Sequence, residues 1–207
     1  MSAALKLPGR PVLATPPTRR TRILFTEDEY LEREARSPNK HEFRRGEIFA
    51  MAGGTMTHNT LCGNVIGALK NLVRWRGCRV LPSDQRIHIP VTGTYTYPDA
   101  SVVCGPPESA PKDKNSLTNP VVLVEVLSAS TEDYDRGEKF DDYRSIPSLR
   151  EVLFISQSER LVQHHRRIEG DRWLLTEHRG GAIELPTLGG AIEFDDIYEN
   201  VDLASAE

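Results

Sequence analysis

The chain has 207 residues, 38% of them hydrophobic, and a formal net charge of −4, which suffices for one α/β domain with a well-buried core and is short for two. The acidic balance excludes a protein that coats nucleic acid by bulk electrostatics, a mode that needs surplus Lys and Arg to displace counterions. No apolar run approaches the ~18 residues of a transmembrane helix, so no membrane partner is expected.

Residues 1–22 mix prolines, small residues and arginines without a secretory signal's apolar stretch, and are expected to form a disordered leader. A single domain is expected over 23–200, with a tail at 201–207. Thr26 and Glu29 have capping-box spacing for a helix over 26–36, stopped by Ser37-Pro38. Residues 42–52 read as a β-hairpin around Arg44-Arg45-Gly46. Over 57–75, Leu61, Cys62, Val65, Ile66, Leu69, Leu72 and Val73 recur at three-and-four spacing, which predicts an amphipathic helix with one buried stripe.

Strands are expected at 80–91, at 94–104 and at 121–127, the last apolar enough to be covered on both faces. The Pro-, Lys- and Asp-rich segment 105–119 reads as a surface loop. A second helix is predicted at 131–143, then a strand at 151–156, and further antiparallel strands at 160–167, 173–178 and in the Gly-rich tail. The order helix, three strands, helix, strand is an α/β arrangement: a mixed sheet flanked by helices. Cys62, Cys78 and Cys104 are odd in number and lack CxxC spacing, which argues against a disulfide framework and a thiolate zinc site and for a reducing cytoplasm.

Two acids stand where stability alone would not put them, because a buried carboxylate needs a partner to offset its lost hydration. Glu125 interrupts Val121-Val122-Leu123-Val124 and Val126-Leu127. Asp99 follows Pro98 in the middle of an expected strand. On neighbouring strands the two would point into one notch that suits a hard cation, Mg²⁺ or Mn²⁺. The plain alternative is a pair of carboxylates bonded to backbone or arginine.

Tyr97-Pro98-Asp99 with Glu125-Val126-Leu127 resembles the metal-binding motif of the PD-(D/E)XK nuclease superfamily, except that Leu127 stands where that motif has lysine. Glu125-Val126-Leu127-Ser128-Ala129-Ser130-Thr131, then Asp135, Lys139 and Tyr143, then Ile146-Pro147-Ser148, resembles its Uma-type restriction-endonuclease family. Upstream, Glu42, Gly46-Glu47-Ile48, Met51 and His58 extend the likeness to about residues 24–200. The resemblance implies a restriction-endonuclease-like α-β-β-β-α-β core with an N-terminal helix and hairpin and extra C-terminal strands. It also implies a metal-dependent endonuclease acting on nucleic-acid phosphodiesters, with DNA expected ahead of RNA and the choice between them left open by the sequence.

In such a protein Asp99, Glu125 and the Val126 carbonyl hold Mg²⁺ or Mn²⁺, and Lys139 replaces the missing strand lysine. Asp135, Lys139 and Tyr143 share a helical stripe. Glu47, His58, Asp84 and Gln85 are secondary candidates for the notch. The rival expectations are a nuclease-fold module that binds nucleic acid or a protein without cutting, and an assembly protein; a homodimer would suit double-strand cleavage. His164 and His165 point to opposite faces of a strand and could not easily share an ion. No GxSxG, GxxxxGK[ST], HExxH or dinucleotide-binding turn is present.

Overall fold

The computed structural model describes residues 23–128 and 132–203. The expected leader, residues 129–131 of the Ser-Thr motif and the last four residues lie outside them.

Helix α1 (Glu27–Arg36) starts with the expected capping box: Thr26 Oγ1 accepts from the Glu29 amide at 3.3 Å, and Glu29 Oε2 accepts from the Thr26 amide at 2.7 Å. Strands β1 (His41–Arg44) and β2 (Glu47–Ala50) form a hairpin whose two turn residues, Arg45 and Gly46, both have positive φ, as a tight hairpin connection requires. Helix α2 (Met56–Leu72), capped by Thr55, buries Leu61, Val65 and Leu69 completely, each contributing roughly 1.5–3 kcal/mol.

The chain then runs through β3 (Cys78–Pro82), β4 (Ile87–Ile89), β5 (Thr94–Thr96), β6 (Ala100–Cys104) and β7 (Val122–Leu127). A helical crossover follows, made of α3 (Glu132–Tyr134), a π turn (Asp135–Lys139) and α4 (Phe140–Arg144), and leads to β8 (Glu151–Ser156). Strands β9 (Val162–Arg167) and β10 (Trp173–His178), the hairpin β11 (Ala182–Leu185) and β12 (Gly190–Glu193), and α5 (Phe194–Ile197) complete the described chain.

The main sheet has the order β10-β9-β8-β7-β6-β3. β7 and β8 run parallel, joined by the helical crossover, and its other neighbouring pairs are antiparallel. The succession α2, β3, β6, β7, crossover helix, β8 is the expected α-β-β-β-α-β core. Alternation along β7 splits the apolar interior. Val122, Val124 and Val126 pack with α2 and α5, while Leu123 and Leu127 pack with Phe140, Tyr143, Val152 and Phe154 under the crossover.

Several expected elements need correction. The single strand at 80–91 is two strands in two sheets, because a turn through Ser83 and Asp84 separates β3 from β4. The strand at 94–104 is likewise divided at Pro98-Asp99: β5 joins the small sheet β2-β1-β5-β4 and β6 joins the main one, and proline, with no N–H to donate, suits the break. The segment 105–119 is more than a surface loop. Arg86 holds Asp113 at 2.5 Å and Ser116 Oγ at 2.8 Å, and buried Leu117 bridges to Ile87. Finally, Cys78 and Cys104 face each other in the β3–β6 register and form a disulfide, leaving Cys62 free; cysteine usage therefore no longer argues for a reducing compartment.

Candidate active site

The register Ala100↔Val124 and Ser101↔Leu123, carried one step back, sets Asp99 across from Glu125. Pro98 ends the ladder of the small sheet immediately before, so Asp99 occupies the seam where the chain passes from one sheet to the other. Its Oδ2 accepts from the Val126 amide at 2.7 Å and its Oδ1 lies 3.2 Å from His58 Nε2 in the first turn of α2. Asp99 and His58 keep 14% and 19% of their side-chain surface exposed against 5% for Glu125, so solvent reaches the pair from the Asp99 side.

Glu125 shares its face with Leu123 and Leu127 and lies beneath the crossover helix. Its Oε1 accepts a hydrogen bond from the Tyr143 hydroxyl and lies 3.0 Å from Lys139 Nζ. The π turn and α4 bring Asp135, Lys139 and Tyr143 to one side, as their spacing predicted. Lys139 Nζ is 3.5 Å from Asp135 Oδ1 and 3.2 Å from Glu42 Oε1. Single π turns inside α-helices are frequent at functional sites.

Glu42, from β1, is the residue that sequence reasoning left out of the candidate set. It is buried, and it accepts from the Thr96 hydroxyl and from the Tyr97 amide at 3.1 Å. Its only signal in the sequence is its place in the family resemblance, because nothing in a four-residue hairpin strand says what will be folded against it. Arg44 clasps the same hairpin to the crossover through Asp142 at 2.6 Å and through Glu138.

The electrostatics are unbalanced. Glu42, Glu125 and Asp135 surround the Lys139 ammonium, while Asp99 pairs with His58 and adds its field to Glu125. Burial would lower the Lys139 pKa, but Glu125, Glu42 and Asp135 outweigh it and hold the amine charged. Burial would raise Glu42, yet Lys139 and the bonds from Thr96 and Tyr97 bring it below its ordinary value. Glu125 carries the remaining deficit: burial pushes it well above the carboxylate range, Lys139 opposes, and Asp135 and Asp99 add to the rise. Carboxylates gathered this closely, one of them pushed toward its neutral form, make an oxygen-donor set that fits a hard divalent cation.

The remaining candidates are placed as follows. Tyr143 and Asp135 belong to the group. Glu47 opens β2 opposite Arg44. Asp84 and Gln85 do not join the group: Asp84 is exposed and pairs with Lys40 at 3.1 Å, and the Gln85 amide is spent on the Arg86 and Asn115 carbonyls. As expected for turn formers, they organise the β3–β4 connection. His164 and His165 do face opposite ways, the first onto Glu151, the second between Phe140 and Phe154.

The chain has relatives in both sequence and structure. An uncharacterized protein of Synechocystis sp., sll1609, is 38% identical over 165 residues, covering 80% of this chain and 93% of its own. A second, slr1290, is 36% identical over 175 residues, covering 84% and 91%. The crystal structure of a "putative nuclease belonging to DUF820" from Anabaena variabilis superposes with a TM-score of 0.67 at 16% identity, over 84% of this chain and 97% of that one, which shows a shared fold. Residues 27–195 match the Uma2 family, described as "Putative restriction endonuclease", and with most of its length inside that match the chain belongs to the Uma2 family.

Proposed function

We propose that this chain is a metal-dependent endonuclease that hydrolyses DNA phosphodiester bonds, with Asp99, Glu125 and the Val126 carbonyl as the residues that hold Mg²⁺ or Mn²⁺. The observation that carries this reading is Asp99, set across from Glu125 by the β6–β7 register carried one step back, with Glu125, Glu42 and Asp135 gathered on the Lys139 ammonium. When bound, such an ion polarises a phosphate oxygen and lowers the pKa of a coordinated water.

The chain's own residues do the rest. The Val126 amide fixes the Asp99 carboxylate, and Tyr143 and Lys139 fix Glu125. Glu42 and Asp135 hold the Lys139 ammonium at the site, where it offsets negative charge gathering on a phosphate. Lys139 thus supplies from the crossover helix the cation that the strand position Leu127 cannot, since Leu127 is buried in the apolar interior. His58 is a polar side chain at the solvent-facing edge, placed to contact the substrate or its water. The overall charge of −4 confines DNA contact to a local footprint. We further propose one functional domain over 23–200, a homodimer for double-strand cutting, and the cytoplasm, where the DNA is; among the described residues no helix is long and apolar enough to cross a membrane.

The test is nicking of supercoiled plasmid in Mg²⁺, Mn²⁺ or Ca²⁺, with an RNA substrate beside it. The wild type is expected to nick DNA in Mg²⁺ or Mn²⁺, and Asp99→Ala and Glu125→Ala to lose this while keeping the fold. Full activity in both variants removes the assignment. Duplex binding in Ca²⁺ with no nicking in any ion favours the module that binds without cutting.

A further inference from the structure

His58 and Cys62 lie four residues apart near the start of α2, so their side chains stand one turn apart on one face. Cys62 Sγ is 3.5 Å from His58 Nδ1 and 4.0 Å from Nε2, and the same Nε2 is 3.2 Å from Asp99 Oδ1. One donor atom from each of the three residues falls within 4.8 Å of the others. Tetrahedral zinc with bonds of ~2.0–2.3 Å separates its ligand atoms by ~3.3–3.7 Å; with Nε2 as the histidine ligand, the Asp99 oxygen at 3.2 Å stands just inside that spacing and the Cys62 sulfur at 4.0 Å just outside it.

The surroundings hold them there. Asp99 Oδ2 is occupied by the Val126 amide, which turns Oδ1 toward His58, the kind of outer contact that orients a metal ligand. The His58 amide donates to Thr55 Oγ1 at 3.1 Å and fixes the first turn of the helix.

Sulfur decides the chemistry. Mg²⁺ takes oxygen donors, whereas zinc-class ions accept thiolate, imidazole and carboxylate together. We infer that His58, Cys62 and Asp99 form a second site, for a thiophilic divalent cation of the zinc class, which shares Asp99 with the all-oxygen site and competes with it. On binding, the Cys62 S–H bond breaks, its proton goes to solvent and the sulfur lone pair bonds to the ion. Three protein donors leave a fourth position for water. Because one carboxylate serves both sites, a zinc-class ion withdraws Asp99 from the Mg²⁺ site and stops nicking. That competition rests on the function proposed above; the binding itself does not.

The test is titration of the intact, disulfide-bonded chain with Co²⁺, followed in the near-ultraviolet thiolate-to-cobalt charge-transfer band. The band is expected in the wild type, absent in Cys62→Ser, and retained in Glu125→Gln. In His58→Ala and Asp99→Asn the apparent affinity is expected to fall at least ~10-fold. Zn²⁺ is expected to bleach the band and to suppress Mg²⁺-dependent nicking by the same preparation. A folded wild type that gives no band overturns the site, as does a band that survives Cys62→Ser. Zinc that binds yet leaves nicking undiminished overturns the competition. Cobalt binding without nicking in any ion sinks the nuclease reading and leaves the site standing; nicking without the band does the reverse.

Discussion

Two buried glutamates lie on adjacent strands of the main sheet, and the protein treats them differently. Glu151, at the start of β8 and fully buried, has both oxygens answered: Oε2 by His164 Nε2 at 2.8 Å and Oε1 by the Thr187 amide at 2.8 Å. Glu125, in β7, has Lys139 and Tyr143, but it also faces Asp99 and Asp135, and Lys139 is shared with Glu42. Burial of an acid is therefore not what marks a site. The mark is an acid that burial and neighbouring carboxylates push toward its neutral form.

The sharpest way to break this contrast is to remove each glutamate in turn. Glu125→Ala is expected to cut metal-dependent nicking on the order of 10³-fold while leaving the melting temperature unchanged or higher. It should also lose the stabilisation that Mn²⁺ gives the wild type, about 2.7 kcal/mol when the free ion is 100 times Kd. Glu151→Ala is expected to lose on the order of 3 kcal/mol of stability, because His164 and the Thr187 amide lose their acceptor, and to keep nicking per folded molecule. Denaturant midpoints with and without Mn²⁺, read beside plasmid nicking, decide it; the same outcome in both variants would erase the distinction.

Lys139→Met tests the deficit from the other side. Nicking is expected to fall about 100-fold. The midpoint should also drop, since the acids lose their shared cation, and added Mn²⁺ should restore more stability to this variant than to the wild type. A variant that is stable and indifferent to Mn²⁺ would show that Lys139 is an ordinary ion-pair partner.

The smallest effect belongs to His165, on the face of β9 opposite the His164–Glu151 pair. Burial between Phe140 and Phe154, with His164 and Arg136 adding, lowers the His165 pKa from 6.5 to about 4. The unfolded chain then binds a proton that the folded one refuses, so stability falls as pH drops from 6.5 toward about 4. His165→Leu is expected to flatten the midpoint-against-pH curve across that window; an unchanged slope would place the acid sensitivity elsewhere.

Much of this was legible in the residues. An acid inside Val124-Glu125-Val126, another after Pro98, and Asp135, Lys139 and Tyr143 at four-residue spacing are local patterns, and local patterns survive folding. What was hidden depends on pairing between distant segments. Glu42 enters the group only because the hairpin is pressed against Lys139, 97 positions further along by their numbers. Cys78 and Cys104 become partners only once β3 and β6 align. Asp84 and Gln85 looked close to the notch while 80–91 read as one strand, and the turn beside them removed that reach. Cys62 read as one more apolar position in the α2 stripe, and its closeness to Asp99 follows from how the helix lies on the sheet.

The passage of one chain segment from β5 through Pro98-Asp99 into β6 also couples the two sheets mechanically. Asp99 belongs to neither ladder, yet the Val126 amide ties its carboxylate to β7, so the acid keeps its place beside Glu125 while Pro98 just before it carries the backbone over to the other sheet.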